Sequence, residues 1–184
     1  AKTIVDRVNA EYDVVFAKSE VTLNGAKAPN GNRDGETNNG DLITDAMLWK
    51  VMQNKEGLTV NEDHVVAITN GGGIRAAIAK GDVTKKDINT VLPFGNTVAV
   101  VYVTGEQLLE ALEASTFSTP TAVGGFPQVS GINFTIHTGK AYDKNDATYP
   151  ESTYYGPKTI NRVVINSING KEFKANEVYA VVTN

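Results

Sequence analysis

Apolar side chains recur at Ile4, Val8, Tyr12 and Val15 with Lys2, Asp6 and Arg7 between them, a spacing that predicts an amphipathic helix over residues 1–18. Val21 and Leu23 then flank Thr22 just ahead of Asn24-Gly25, a pair suited to a tight turn with positive φ. Residues 26–39 are rich in Asn, Gly and Asp and read as an exposed loop that carries Arg33. A second helix follows, capped by Asn38 or Asn39, with Leu42, Ala46 and Trp49 on one face and Asp41 near the positive end of its dipole. The β-branched run from His64 to Thr69 reads as a buried strand, and Thr97 to Val103 as another. Thr104 and Gln107 form a capping box for a helix holding Leu108, Leu109 and Leu112.

After Ser115 the pattern changes. From Thr116 to Gly131 the chain is rich in Thr, Ser, Pro and Gly and is expected to be a long loop, while "INFTIH" alternates as a half-buried strand does. "RVVINSINGKEF" predicts a hairpin turning at Asn169-Gly170, and "VYAVVTN" a last strand. Helices mixed irregularly with strands, without repeats, favour an α+β domain over regular βαβ winding.

Composition narrows the classes. At 184 residues, 41% hydrophobic and 21% charged, the chain can bury one core, and two separate cores are not expected. Seventeen basic against 21 acidic residues, net −4, with no Lys/Arg block, disfavour a nucleic-acid polymer as partner. Cysteine is absent, which excludes disulfides, thiolate metal sites and cysteine nucleophiles but leaves the compartment open. No apolar run approaches the ~20 residues of a spanning helix. The chain opens at Ala1 without Met and its final strand stops abruptly at Asn184, so processing or truncation is expected.

The candidate chemistry centres on "TNGGGIRAA". Gly71, Gly73 and Ala76 fit G-x-G-x-x-A after a strand, yet no Asp or Glu lies between Asp87 and Glu106, where a dinucleotide site would place its ribose acid ~20 positions on. Alternatively the glycines let main-chain N–H groups converge on an anion or a flat ring, with Arg75 offering a planar fork for carboxylate or phosphate. The plainer alternative is a corner and a surface ion pair. In "LPFGN", Phe94 between Pro93 and Gly95 is either a stacking platform or a ring tucked under its own loop, and the Asn96 amide could read a base edge.

Catalytic machinery is sparse. His64 and His137 are the only histidines, one opening and one closing a strand. "GNRD" has Arg33 where two-metal phosphatases carry histidine, "DKND" lacks the glycine and distal glutamate of a calcium loop, and Ser130 has no G-x-S-x-G frame.

Four stretches taken in order, "GNRDGETNNGDLITDAML", "ITNGGGIRAAIAKGDVT", "VLPFGNTVAVVYVTGEQLLEALE" and "FPQVSGINFTI", resemble the C-terminal domain of the 5′-nucleotidase family, which includes UDP-sugar hydrolases, 2′,3′-cyclic-nucleotide phosphodiesterases and the vertebrate ecto-5′-nucleotidase. The resemblance implies a linker helix over residues 1–18 and a substrate-binding domain over residues 19–184. It implies that a nucleotide is bound here and hydrolysed by a separate N-terminal metallophosphatase domain holding two divalent metal ions and a catalytic histidine. Carried over by position, Arg33 and Arg75 match substrate-binding arginines, Asn70 the asparagine of N-G-G-G-I-R, Phe94 one wall of an aromatic clamp, and Asn96 a base contact; Gly72 and Gly73 leave room beside the base, and Gly131 is expected against the ring. The family continues beyond "VYAVVTN" with a second aromatic residue and a Gly-Gly-Asp-Gly segment, neither of which is present here. No metal ligand set and no activity of its own are expected in this stretch, and the family implies an extracellular, periplasmic or cell-wall-anchored parent. The competing expectation is a non-catalytic nucleotide-binding or adhesion module using the same pocket.

Overall fold

The computed structural model describes residues 2–147 and 156–184. In chain order the elements are α1 (Lys2–Tyr12), β1 (Val15–Ser19), α2 (Asn38–Met52), β2 (Val65–Asn70), β3 (Gly81–Thr84), α3 (Lys85–Val91), β4 (Ala99–Thr104), α4 (Gly105–Ser115), β5 (Pro127–Ser130), β6 (Ile132–Ile136), β7 (Val163–Ile168) and β8 (Val178–Thr183). The central sheet has the order β4-β8-β2-β5, with β2 and β8 parallel and the outer pairs antiparallel. Two-stranded sheets, β1-β3 and β6-β7, flank it.

Strand alternation sorts the core into two faces. Val65, Ala67, Ala180 and Val182 pack beneath Met47, Leu48 and Val51 of α2. Val66, Tyr179 and Val181 face the other way, onto Leu108 and Leu112 of α4 and onto Ile132, Ile165 and Ile168 of the β6-β7 hairpin. β2 is thus covered on both sides, which is why its sequence is continuously apolar rather than alternating. A third cluster, Leu23, Ile74, Ile78, Val83 and Val91, anchors the chain around β3 and α3.

Several local expectations hold. The Thr104 hydroxyl accepts from Gln107 N–H at 3.2 Å while the Gln107 side chain accepts from Thr104 N–H at 2.9 Å, the reciprocal box that starts α4. Asn169 and Gly170 both take positive φ, 48° and 75°, and Ile168 and Lys171 exchange main-chain hydrogen bonds across them.

Others are corrected. The opening helix ends at Tyr12, and Val15 starts β1 instead of extending the apolar face, because the β-branched residues there pair with β3. Asn24-Gly25 makes no positive-φ turn. Leu23 bridges Ile78 instead, and a Cβ at Gly25 would strike the main chain of Ala76 and Ala77. Thr37, not Asn38 or Asn39, caps α2, its hydroxyl accepting from Gly40 N–H at 3.0 Å; Asn39 is fully buried, and its amide donates to the Ala76 carbonyl at 3.1 Å. The face that α2 turns to the sheet is Met47, Leu48 and Val51, leaving Leu42 and Trp49 about half exposed or more, at 49% and 63%. Residues 127–130 of the expected long loop form β5, held against β2 with Gln128 buried and its amide donating to the Gly35 carbonyl at 2.7 Å.

Candidate functional site

β2 delivers Asn70 and then a tight turn, Gly71–Gly73, at its C-terminal end. The turn is wedged between two loops. Gly71 N–H donates to the Phe126 carbonyl and Gly72 N–H to the Gly124 carbonyl, each at 2.8 Å, and the Asn70 amide reaches the same Gly124 oxygen at 3.3 Å. A Cβ on Gly71 would collide with the Asn32 carbonyl, and one on Gly72 would stand 2.7 Å from that of Gly124, so glycine here is required by close approach of main chains.

The next residues divide their tasks. Ile74 is buried in the third core cluster, and Arg75 N–H donates to the Val91 carbonyl at 2.9 Å, tying the turn to the end of α3. The Arg75 side chain is thereby sent outward. Its Nη1 donates to the Gly72 carbonyl at 3.1 Å, and its guanidinium carbon lies 5.8 Å from the centre of the Phe94 ring. Phe94 is 61% exposed, so the ring is presented to solvent and not tucked beneath its loop.

Phe94 and Gly73 form a ridge shared by two cavities. One, of about 560 Å³, is lined by Asn70, Gly72 and Gly73, by Gly124 and Gly125, and by Ala111, Ala114 and Ser115 of α4. The other, of about 480 Å³, is largely apolar and is lined by Leu42, Ile43 and Ala46 of α2 together with Ile88, Leu92 and Asn96. Half-exposed Leu42 of α2 therefore lines a cavity wall, whereas Trp49 does not. Among the described residues no acidic side chain lines either cavity; Arg75 lines neither, but its guanidinium lies beside Phe94, which lines both, a setting that suits an anion beside a flat ring.

The other sequence candidates are placed less directly. Arg33 lines neither cavity, but its carbonyl accepts from Val123 N–H at 2.9 Å, next to Gly124, and its buried Nε has no hydrogen-bond partner. Gly131 belongs to the turn between β5 and β6, with φ +80° and a Cβ position 2.6 Å from the Asn169 side chain. It lies beside Val66, and Gly71 is five residues along β2, roughly 16 Å away at strand rise. Gly131 lines neither cavity, whereas Gly124 and Gly125 line the first of the two. Their adjacency in a Thr- and Pro-rich stretch was the available signal.

Among the described residues no group of three or more His, Cys, Asp or Glu side chains could hold a metal ion, so the two divalent ions implied by the resemblance have no ligand set here. His64 is engaged elsewhere, between Asp63 and Glu177. Asp143 of "DKND" accepts from the Thr159 hydroxyl at 2.9 Å at the surface. No helix among the described residues is long and apolar enough to cross a membrane.

The family profile described as 5′-nucleotidase, C-terminal domain, matches residues 15–184. The chain belongs to this family. It is 44% identical over 140 residues to the trifunctional nucleotide phosphoesterase protein YfkN of Bacillus subtilis, covering 74% of this chain and 9% of that protein. It is 36% identical over 146 residues to protein 5NUC of Lutzomyia longipalpis, covering 76% of this chain and 25% of the relative. The crystal structure of a 5′-nucleotidase precursor from Thermus thermophilus superposes over 100% of this chain and 32% of its own, with 32% identity and a TM-score of 0.71. The 5′-nucleotidase C-terminal domain thus spans a minor part of the proteins it matches, and β1, which pairs with β3, falls inside the matched range.

Proposed function

We propose that this domain is the nucleotide-recognition part of a 5′-nucleotidase-type phosphohydrolase. Phe94 stacks on the base, Gly72 and Gly73 leave the space beside it, Asn70 and Asn96 offer amides to its polar edges, and Arg75 with Arg33 holds the phosphate-bearing end. Hydrolysis of the phosphate ester is assigned to a metallophosphatase domain elsewhere in the parent polypeptide, which would hold the two divalent ions. Residues 1–18 are read as the link to that domain; the exposed apolar side chains of α1, Ile4, Val5 and Val8, support a neighbour on that face. An extracellular, periplasmic or cell-wall location of the parent belongs to the same proposal and draws on the family resemblance.

The observation that carries the reading is a solvent-presented ring with a guanidinium beside it, on the edge of a glycine-walled cleft that, among the described residues, no acidic side chain lines. An aromatic platform contributes about 1–3 kcal/mol per stacked base. Titration calorimetry with AMP, UMP, UDP-glucose and adenosine tests it. The nucleotides are expected to bind more tightly than adenosine, because Arg33 and Arg75 have no anionic partner on the nucleoside. Adenosine binding as tight as AMP would remove the arginines from the assignment.

A further inference from the structure

Two buried charged residues stand behind the cleft without touching it. Glu113, near the end of α4, has no exposed surface, and its carboxylate accepts from the N–H groups of Val163 at 2.7 Å, Arg162 at 3.0 Å and Asn161 at 3.3 Å. Arg162, 2% exposed, sends its guanidinium in return to the chain that leaves α4: Nη1 donates to the carbonyls of Thr116 at 2.6 Å and Phe117 at 2.7 Å, and Nη2 to that of Thr119. Helix ends leave carbonyls without partners, and a planar fork with fixed donor directions can serve several at once. Helix α4 and strand β7 are therefore cross-tied by a carboxylate that gathers amides and a guanidinium that gathers carbonyls.

The segment so held, residues 116–126, is the one that carries Gly124 and Gly125 to the cleft. At its far end it is pinned by Gly71, Gly72 and Asn70, which donate to the carbonyls of Phe126 and Gly124, and by Val123 N–H on the Arg33 carbonyl. Among its described hydrophobic side chains only Phe126 is buried in the core. Polar anchors at both ends thus set its path, with Arg162 supplying one end and the glycine turn the other. A shift at the Arg162 end displaces the glycine wall relative to Phe94.

We propose that Arg162 and Glu113 are positioning residues of the cleft, fixing the Gly124–Gly125 wall at the distance from Phe94 that admits a flat base. The proposal rests on reading the cleft as a nucleotide site. Arg162→Lys keeps the charge but gives up the planar fork, and Glu113→Gln keeps the shape while replacing one acceptor oxygen with an amide donor. Amide hydrogen exchange read by NMR separates local from global effects, because the Gly71 and Gly72 N–H groups bond to this segment whereas the β4-β8 ladder does not. In either variant, exchange at Gly71 and Gly72 is expected to rise about tenfold or more with the β4-β8 amides unchanged, and AMP affinity to fall in parallel. Uniform acceleration across the sheet, or wild-type exchange at both glycines, overturns the proposal. If Arg162→Lys does not fold, Glu113→Gln carries the test. If the unsubstituted protein fails to bind AMP, the nucleotide reading fails, and the exchange pattern alone decides whether the two residues hold the wall.

Discussion

Alanine placed in turn at Gly71, Gly72 and Gly73 should produce three different outcomes, although the substitutions are chemically identical. None of the three has a positive φ, so the cost is steric and not one of backbone strain. At Gly71 the new methyl runs into the carbonyl of Asn32, a residue with no exposed surface whose carbonyl also accepts from the Gln128 amide at 3.2 Å. Relieving the clash moves main chain and disturbs that bond together with the one from Gly71 N–H to Phe126, for a loss of about 3–5 kcal/mol from overpacking plus two weakened hydrogen bonds. At Gly72 the methyl stands 2.7 Å from the Gly124 carbonyl, a milder overlap than at Gly71 but one that still presses on main chain accepting from Gly72 N–H and the Asn70 amide. Overpacking of about 1–3 kcal/mol, offset by about 0.4–1 for a less flexible unfolded chain, leaves a loss of about 1–2. At Gly73 the nearest atom is the Asn70 side chain at 3.4 Å, an ordinary contact, and the change should be neutral or stabilising by up to about 1 kcal/mol. Thermal unfolding followed by circular dichroism resolves these, since 1 kcal/mol corresponds to roughly 2–4 °C for a chain of this size. Equal losses at the three positions, or the largest at Gly73, would refute the claim that close approach of main chains, and not glycine flexibility, dictates this corner.

Phe94→Ala should leave unfolding essentially unchanged, as the ring is 61% exposed, while raising the AMP dissociation constant about 5- to 100-fold by calorimetry; unaltered affinity excludes the ring from the site. His64 lies 2.6 Å from Glu177 and 2.7 Å from Asp63, and these hydrogen bonds, that of Glu177 foremost, raise its pKa above 6.5 against the opposing effect of burial, with Lys171 and Lys174 paired to the same carboxylates. A folded pKa above the unfolded one means that this contribution is complete below about pH 6.5 and is lost as pH rises through the folded value, so urea midpoints should decline over that window and His64→Gln should flatten the decline; midpoints that climb with pH there contradict it. Asp63, drawn down to about 2 chiefly by its hydrogen bonds from Lys171 and His64, has the reverse sign: its contribution is present above about pH 3.9 and disappears as acidification approaches 2. Thr104→Ala, which removes the cap of α4, should cost about 0.5–2 kcal/mol in chemical denaturation, and no measurable loss would mean that the box is ornamental to α4.

The fold was legible wherever a signal was local. The Thr104–Gln107 box, the Asn169-Gly170 turn and the β-branched run of β2 each act within a few residues, and each element lies where its sequence indicates. The signals that misled were those decided by distant chain. Thr37, Asn38 and Asn39 are all capable caps, and Thr37 takes the position because Asn38 bonds Asn24 and Asn39 bonds Ala76. Leu42, Ala46 and Trp49 share a face of α2, as does the stripe of Met47, Leu48 and Val51, and only the presence of β2 and β8 selects the second. β5 has too little alternation to be read as a strand; pairing with β2 and the burial of Gln128 make it one.

The same division runs through the site. Asn70, Gly72, Gly73, Arg75 and Phe94 come from two short stretches whose residue types state their chemistry: bare main chain, a fork and a ring. Gly124 and Gly125 carry no such statement, because their place opposite the turn depends on β5 lying beside β2, and that pairing depends in turn on side chains dispersed from Asn32 to Gln128. Reading residues 116–131 as one loop therefore conceals β5, and with it the geometry that puts Gly124 and Gly125 on the cavity wall and leaves Gly131, at the far end of the strand, off it. A glycine wall built in this way owes its position to a segment nearly devoid of core side chains. Beyond the burial of Phe126 and the ring contact of Phe117 with Tyr142, its placement rests on hydrogen bonds at the segment's ends, which is the physical reason for a buried arginine and a buried glutamate behind a cleft that neither one touches.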